Sequence, residues 1–262
     1  MLCYPDRRSA LRAGAAVAAG ALTAACGASG RTDPAPTAPT SAAAPLPAKA
    51  PAVAPAPHRF PGQPVEIGHG PRDRPRVALT FHGNGDPATA RAILAEAEKG
   101  GARVTVLAIG SWLDAHPEMA RRILDGGHEL GNHTQRHLAV NAMPEAEAYA
   151  EITQCAQRLK RLTGSIGSWF RPSQTRYATP LVRTLAQRAG YPHVLSYDVD
   201  SLDFTSPGAA AVIRTVTGTI RSGSVVSLHF GYADTVAAMP PLLEELARRK
   251  LRAVTTTELL TP

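Results

Sequence analysis

From Arg76 onward, short runs of β-branched and aliphatic residues alternate with stretches of helical spacing, and nothing else in this chain constrains its fold so tightly. The strand-like runs cover 77–81, 103–109, 128–132, 169–171, 194–197, 225–229 and 252–255. Helical spacing fills 87–99, 117–124, 144–162, 180–189, 208–221 and 239–249, several of them opened by proline near the first turn, where a missing N–H costs nothing. Seven strand candidates in this rhythm predict an α/β fold with parallel strands, closed as a barrel, and periodicity alone leaves a doubly wound open sheet as the alternative. Both architectures place ligands at the carboxyl ends of the strands. The polar residues of this chain gather there: His82 after the first run, His133 and His137 after the third, Arg171 closing the fourth, Asp198 to Asp203 after the fifth, His229 closing the sixth. The pattern therefore predicts one convergent site.

The first 26 residues have a different character. Arg7, Arg8 and Arg12 precede a charge-free run from Ala13 to Ala25 that is too short to span a bilayer, which predicts an export signal rather than an anchor helix. Arg7-Arg8-Ser9-Ala10-Leu11 is similar to a twin-arginine motif, and Leu22-Thr23-Ala24-Ala25-Cys26 resembles a lipobox, so Cys26 is the predicted lipidation site. The expected location is the outer face of the cytoplasmic membrane, held there by the lipid; an ordinary signal cleaved near Ala25 would instead give a secreted protein. Residues 27–64 are almost entirely Ala, Pro, Thr and Ser, too poor in apolar surface to offset the entropy of ordering, and read as an extended tether to a domain covering 65–262. Cys155 then has no partner, so no disulfide framework is expected. The formal net charge of +7 falls to +5 when the signal's three arginines and one aspartate are removed, a mild excess suited to an anionic cell wall. Basic and aromatic residues do not interleave as nucleic-acid binding would require, and the domain is expected to be a monomer.

His133-Thr134-Gln135-Arg136-His137 sets two imidazoles four apart, a spacing that one helical turn would present on one face as ligands to a divalent transition metal such as zinc. The pair follows Gly127-His128-Glu129-Leu130-Gly131-Asn132, a short strand and turn, and the other ionisable groups converge on the same end of the sheet.

At these residues the chain resembles the polysaccharide deacetylases of carbohydrate esterase family four, the NodB-homology domain. The resemblance runs from Val77 to Leu260 through Ala78-Leu79-Thr80-Phe81, Gly127 to Thr134 with His137, Phe170-Arg171-Pro172, Asp200-Ser201-Leu202-Asp203-Phe204 and Leu228-His229. It implies a distorted (β/α)7-type barrel, and hydrolysis of N-acetyl, sometimes O-acetyl, groups on an amino-sugar polymer such as peptidoglycan or chitin. The bond cleaved would be a carbon–nitrogen bond other than a peptide bond. The family's divalent metal, usually zinc, polarises the acetyl carbonyl and a bound water. By position His229 would be the general acid, Asp203 would hold its ring, Arg171 would pair with the catalytic base, and the backbone amide at Gln174 would help bind the oxyanion.

The first motif departs from the family. Where the family has Thr-Phe-Asp-Asp-Gly, base aspartate then metal ligand, this chain reads Thr80-Phe81-His82-Gly83-Asn84-Gly85-Asp86. His82 takes the base position, and the resemblance leaves it two roles: substitute base, or third ligand beside His133 and His137. A guanidinium near His82 disfavours imidazolium, so the expectation is a three-histidine site with an open position for water, Asp86 being the competing ligand or merely a helix cap. Ser173-Gln174-Thr175 and Phe230 also replace family residues. Two functions follow: a metal-dependent acetyl hydrolase rebuilt around histidine, or a non-catalytic descendant that binds cell-wall glycan. Trp169, Tyr177, Phe204 and Tyr232 fit either a sugar platform or the core.

Overall fold

Strand β2 (Arg76–Gly83) carries a buried run from Val77 to Phe81, as a strand covered on both faces must. It pairs in parallel with β3 (Thr105–Ala108), β7 (Val225–His229) and β8 (Arg252–Ala253). The wall continues from β3 to β4 (Glu129–Asn132) and from β7 to β6 (Val199–Asp200), again in parallel. A second pair, β1 (Glu66–Ile67) with β5 (Val194–Leu195), joins it through Phe170, which bridges Asn132 on one side and Val194 on the other. The result is a distorted barrel of parallel strands ringed by helices, as the strand–helix alternation implies. The structure is a computed structural model that describes residues 53–262, so Cys26, the export segment and most of the tether lie outside the described residues.

The helices are α1 (Pro87–Lys99), α2 (Gly110–Ala115), α3 (Glu118–Asp125), α4 (Glu145–Thr163), α5 (Pro180–Arg188), α6 (Ala209–Thr219), α7 (Ala233–Arg248) and α8 (Thr256–Leu260). Their starts follow local chemistry. Asp86 caps α1 by accepting from the amide of Ala88 at 2.9 Å, with Pro87 at the first position, and Thr179 caps α5 in the same way before Pro180. At α7 the sequence reading stops short, because Pro240 and Pro241 read as a helix start yet lie inside it. The apolar face of Ala238, Met239, Leu242 and Leu246, all buried, holds the helix through the missing N–H groups.

Two other expectations change. The strand at 169–171 shrinks to one bridging residue, Phe170, because Pro172 has no N–H and the carbonyl of Arg171 is taken by His133. The tether also ends earlier than residue 64. Ala54 and Phe60 are buried, and Phe60 stacks on Trp169 with ring centroids 5.5 Å apart and planes 6° from parallel. The amide of Phe60 donates to Nε2 of buried His193 at 3.0 Å, and that ring's Nδ1–H donates to the carbonyl of Pro64 at 2.8 Å. Proline-rich sequence hides this, since the ordering is supplied by one aromatic ring rather than by local propensity. We expect Phe60→Ala to lower the unfolding free energy by about 3 kcal/mol in urea denaturation. A change within about 0.5 kcal/mol would show the segment to be an unanchored tether after all.

Candidate active site

The ends of the central strands build the site. His82 and His229 are register partners on the adjacent parallel strands β2 and β7, so their rings meet at the carboxyl rim. Past β2 the chain must turn sharply: Gly85 has φ +90°, and a Cβ there would lie 2.5 Å from Cα of Gly231. Asp203 opens a single 3-10 turn after β6, and Arg171 follows the Phe170 bridge.

His133 and His137 do come together, with ring centroids 4.9 Å apart, but on a loop and not on the helical turn expected from their spacing. Asn132 is the reason. Its side-chain oxygen accepts from the amide of Thr134 at 2.8 Å, which bends the chain into positive φ at Thr134 (68°), and Thr134 Oγ1 then accepts from the amide of His137, itself at φ 57°. Glu151, buried on α4, receives the amide and Nε of Arg136 and fixes the outer side of the loop.

One hydrogen-bonded string runs through the site. Arg171 is buried and donates through Nε and Nη2 to the carbonyls of Leu195 and Ser196, both at 3.1 Å. Its Nη1 lies 3.2 Å from Nε2 of His82, Nδ1 of His82 lies 2.8 Å from Nε2 of His229, and Nδ1 of His229 lies 2.6 Å from Oδ1 of Asp203. A guanidinium has no acceptor, so His82 Nε2 must accept and the ring's proton sits on Nδ1. That proton is donated to His229, whose own proton therefore sits on Nδ1 and is donated to Asp203. The tautomers are thus assigned by their partners, and every donor in the string points toward the carboxylate. Asp203 completes its shell with the amide of His229 at 2.8 Å and the hydroxyl of Thr235 at 2.6 Å.

Among the described residues this arrangement does not assemble the three-histidine metal site that was expected. Both ring nitrogens of His82 are engaged, and the ring stacks on His133 with planes 28° apart, so it offers no lone pair to a shared ion. Asp86 is occupied as the cap of α1. Gly83 has no side chain to offer, and a Cβ on it would fall 3.0 Å from both Cα of Ala108 and Cγ1 of Val106. Among the described residues no group of three or more His, Cys, Asp or Glu is placed to hold a metal ion. His133 alone looks like a ligand: its Nδ1–H donates to the carbonyl of Arg171 at 3.0 Å, and its buried Nε2 has no hydrogen-bond partner. Two imidazoles fall short of the three protein ligands that a catalytic zinc site requires, so the residues present do not fit such a site.

In front of the string lies a pocket of about 460 Å3. His82, His137, His229 and Gln174 line it, and Gln174 (φ 56°) donates from its side chain to the carbonyl of His137 at 2.7 Å. Phe204, 45% exposed, and Tyr232 set their rings 5.4 and 5.9 Å from that of His229. Trp169, by contrast, belongs to the core. Sequence reasoning gave no role to Thr235, which it met only in a closing segment similar to the family's, and missed Arg176, which lines the pocket two residues after Gln174.

Burial holds the imidazoles of His82, His133 and His137 below the ordinary value of 6.5, with repulsion from neighbouring rings adding in each case and from Arg171 in the first two. Above pH 6.5 both the folded and unfolded chains keep them neutral; as the pH falls below it, the unfolded chain takes up protons that the folded one refuses. The urea midpoint should therefore be lower at pH about 5.5 than at pH about 7.5, and His133→Gln should flatten that dependence. A midpoint that does not move would place these rings in solvent.

The polysaccharide deacetylase family model matches residues 69–194. A peptidoglycan-N-acetylglucosamine deacetylase of Bacillus cereus is 31% identical over 194 residues, 72% of this chain and 90% of that protein. A chitooligosaccharide deacetylase of a Bradyrhizobium strain is 28% identical, over 66% of this chain and 85% of its own. Among solved structures, a carbohydrate esterase family 4 pseudoenzyme of Bacillus anthracis superposes with a TM-score of 0.72 at 22% identity, over 76% of this chain and 70% of its own. That last likeness is one of fold.

Proposed function

The chain belongs to the polysaccharide deacetylase family, and on that premise we propose that its pocket receives an acetylated amino-sugar polymer of the cell wall and holds it without removing the acetyl group. The observation that carries this reading is the 2.8 Å contact between His82 Nδ1 and His229 Nε2, in which Arg171, donating to the other nitrogen of His82, makes Nδ1–H the donor toward the nitrogen that a general acid would use. To protonate a leaving amine, His229 would need a proton on Nε2. Placing one there sets two N–H groups against each other unless His82 moves its own proton to Nε2, and Arg171 already donates to that atom. The string is self-consistent only with His229 as an acceptor.

The first motif adds to this. With imidazole at position 82 and no side chain at 83, these two positions supply neither a carboxylate to take a proton from water nor a third protein ligand for an ion. What remains is recognition chemistry. A sugar ring is apolar on its faces and polar at its edge, and a pocket that combines the Phe204 and Tyr232 rings with Asp200, Gln174 and Thr175 suits both surfaces. Export and lipid attachment at Cys26 would hold such a module at the outer face of the cytoplasmic membrane, within reach of wall glycan.

One observation favours a second reading, a metal-dependent acetyl hydrolase. The lone pair on His133 Nε2 is buried without a partner, and leaving a polar atom so costs about 1–3 kcal/mol unless something fills the gap. An ion held by His133 and His137 would fill it, and the family's divalent metal would supply electrophilic activation of an acetyl carbonyl.

The test incubates the purified protein with peptidoglycan and with N-acetylglucosamine oligomers, with and without added zinc, and measures glycan retained and acetate released. Retention of glycan with no acetate above the blank is the expected result. Zinc-dependent acetate release that disappears in His133→Ala would overturn it in favour of the hydrolase.

A further inference from the structure

The pocket is lined by an arginine that the string does not use, and its setting differs from that of an ordinary surface cation. Arg176 lies at the exposed side of the pocket with its guanidinium carbon 5.2 Å from the ring centre of Tyr197 and 5.1 Å from that of Tyr177. Its Nε donates to the carbonyl of Tyr197 at 3.0 Å. These contacts hold the group while, among the described residues, both terminal nitrogens lack a protein acceptor and no carboxylate lies within the 4.0 Å of an ion pair.

The other charged groups at the pocket are already committed. Arg171 is tied to two carbonyls and to His82. Asp200 accepts from the amide of Leu202 at 3.2 Å, receives the hydroxyl of Tyr197 at 3.4 Å, and acts on Arg171 by supporting its charge. Arg176 is therefore a preorganised fork of N–H donors at a glycan pocket, with no carboxylate of the described residues within ion-pair reach. A guanidinium held beside two aromatic rings and by one hydrogen bond loses little freedom on binding, and its paired N–H groups match the two oxygens of a carboxylate.

We infer that Arg176 makes the pocket selective for an acetylated amino sugar that carries a free carboxylate substituent, as the muramic acid of peptidoglycan does where its peptide has been removed, over a neutral N-acetylglucosamine chain. This rests on the glycan-binding reading above. It predicts that the anionic ring of an alternating glycan seats next to Tyr197, in the pocket that Phe204 and Tyr232 also line. Asp200 then contributes to selection as well, because a carboxylate displaced from Arg176 would meet it and be repelled.

The experiment is isothermal titration of the full protein with three tetrasaccharides: chitotetraose with all four acetyl groups, the peptide-free glucosamine–muramic acid tetrasaccharide, and the methyl ester of the latter. The expected result is that the free carboxylate form binds at least about tenfold more tightly than its ester, that added salt narrows the gap, and that Arg176→Gln brings the ratio to about one. Arg176→Lys should keep part of the preference, since it retains the charge and loses the fork, and unchanged thermal midpoints would show both variants to be folded. Binding of all three ligands with equal strength, or a ratio that survives in Arg176→Gln, would overturn the inference and leave glycan binding intact. Binding of none of them would overturn the glycan reading and this inference with it.

Discussion

Everything at the carboxyl end of this barrel is organised by a buried guanidinium that can only donate. Burial lowers the pKa of Arg171 to about 10, which still leaves it charged at neutral pH, and two backbone carbonyls hold it in place. Against a carboxylate it would form an ion pair. Against the imidazole of His82 it instead dictates which nitrogen carries the proton, and that choice passes through His229 to Asp203. A single residue change in the first motif thus alters the polarity of contacts made by residues that are themselves retained. The Asp203–His229 pair survives, supported by Thr235, while the atom it would use in catalysis faces a donor.

The scaffold makes such a string possible. Because β2 and β7 are parallel neighbours in register, His82 and His229 are delivered side by side without any loop having to close. The Asn132 turn brings His133 behind them, and Pro172 ends the ladder so that Arg171 can reach inward. Rigid strand ends of this kind hold hydrogen-bond geometry better than loops do. The pocket in front is left to residues of the connecting segments, Gln174 to Arg176 and Phe204, which is where sequence change can alter the ligand without disturbing the barrel.

How much was legible beforehand varies with the kind of signal. Parallel strands and crossover helices declared themselves through periodicity, and β7 and α1 begin and end where the pattern places them. The convergence of His82, His133, His137, Arg171, Asp203 and His229 was readable because strand ends are easy to find. Their roles were not. Two histidines four apart suggest a helix until Asn132 is seen to impose a turn, and a histidine near two others suggests a ligand until both of its nitrogens are found occupied. Tautomers are properties of three-dimensional neighbours, and no spacing rule encodes them. Phe60 was hidden for a related reason: its anchoring depends on Trp169 and His193, more than a hundred residues away. Arg176 carried no motif, and its seat against Tyr197 and Tyr177 at the pocket exists only in three dimensions.

The central claim is that His229 serves as an acceptor at Nε2, and it concerns the position of two protons. Long-range proton–nitrogen NMR correlation on protein labelled with 15N at histidine reads those positions directly. At neutral pH the account predicts that His82 and His229 each carry one proton, on Nδ1, with both Nε2 atoms bare. A proton on His229 Nε2, whether as the other tautomer or as imidazolium, would contradict it, because the ring would then be poised as the acid of a working deacetylase.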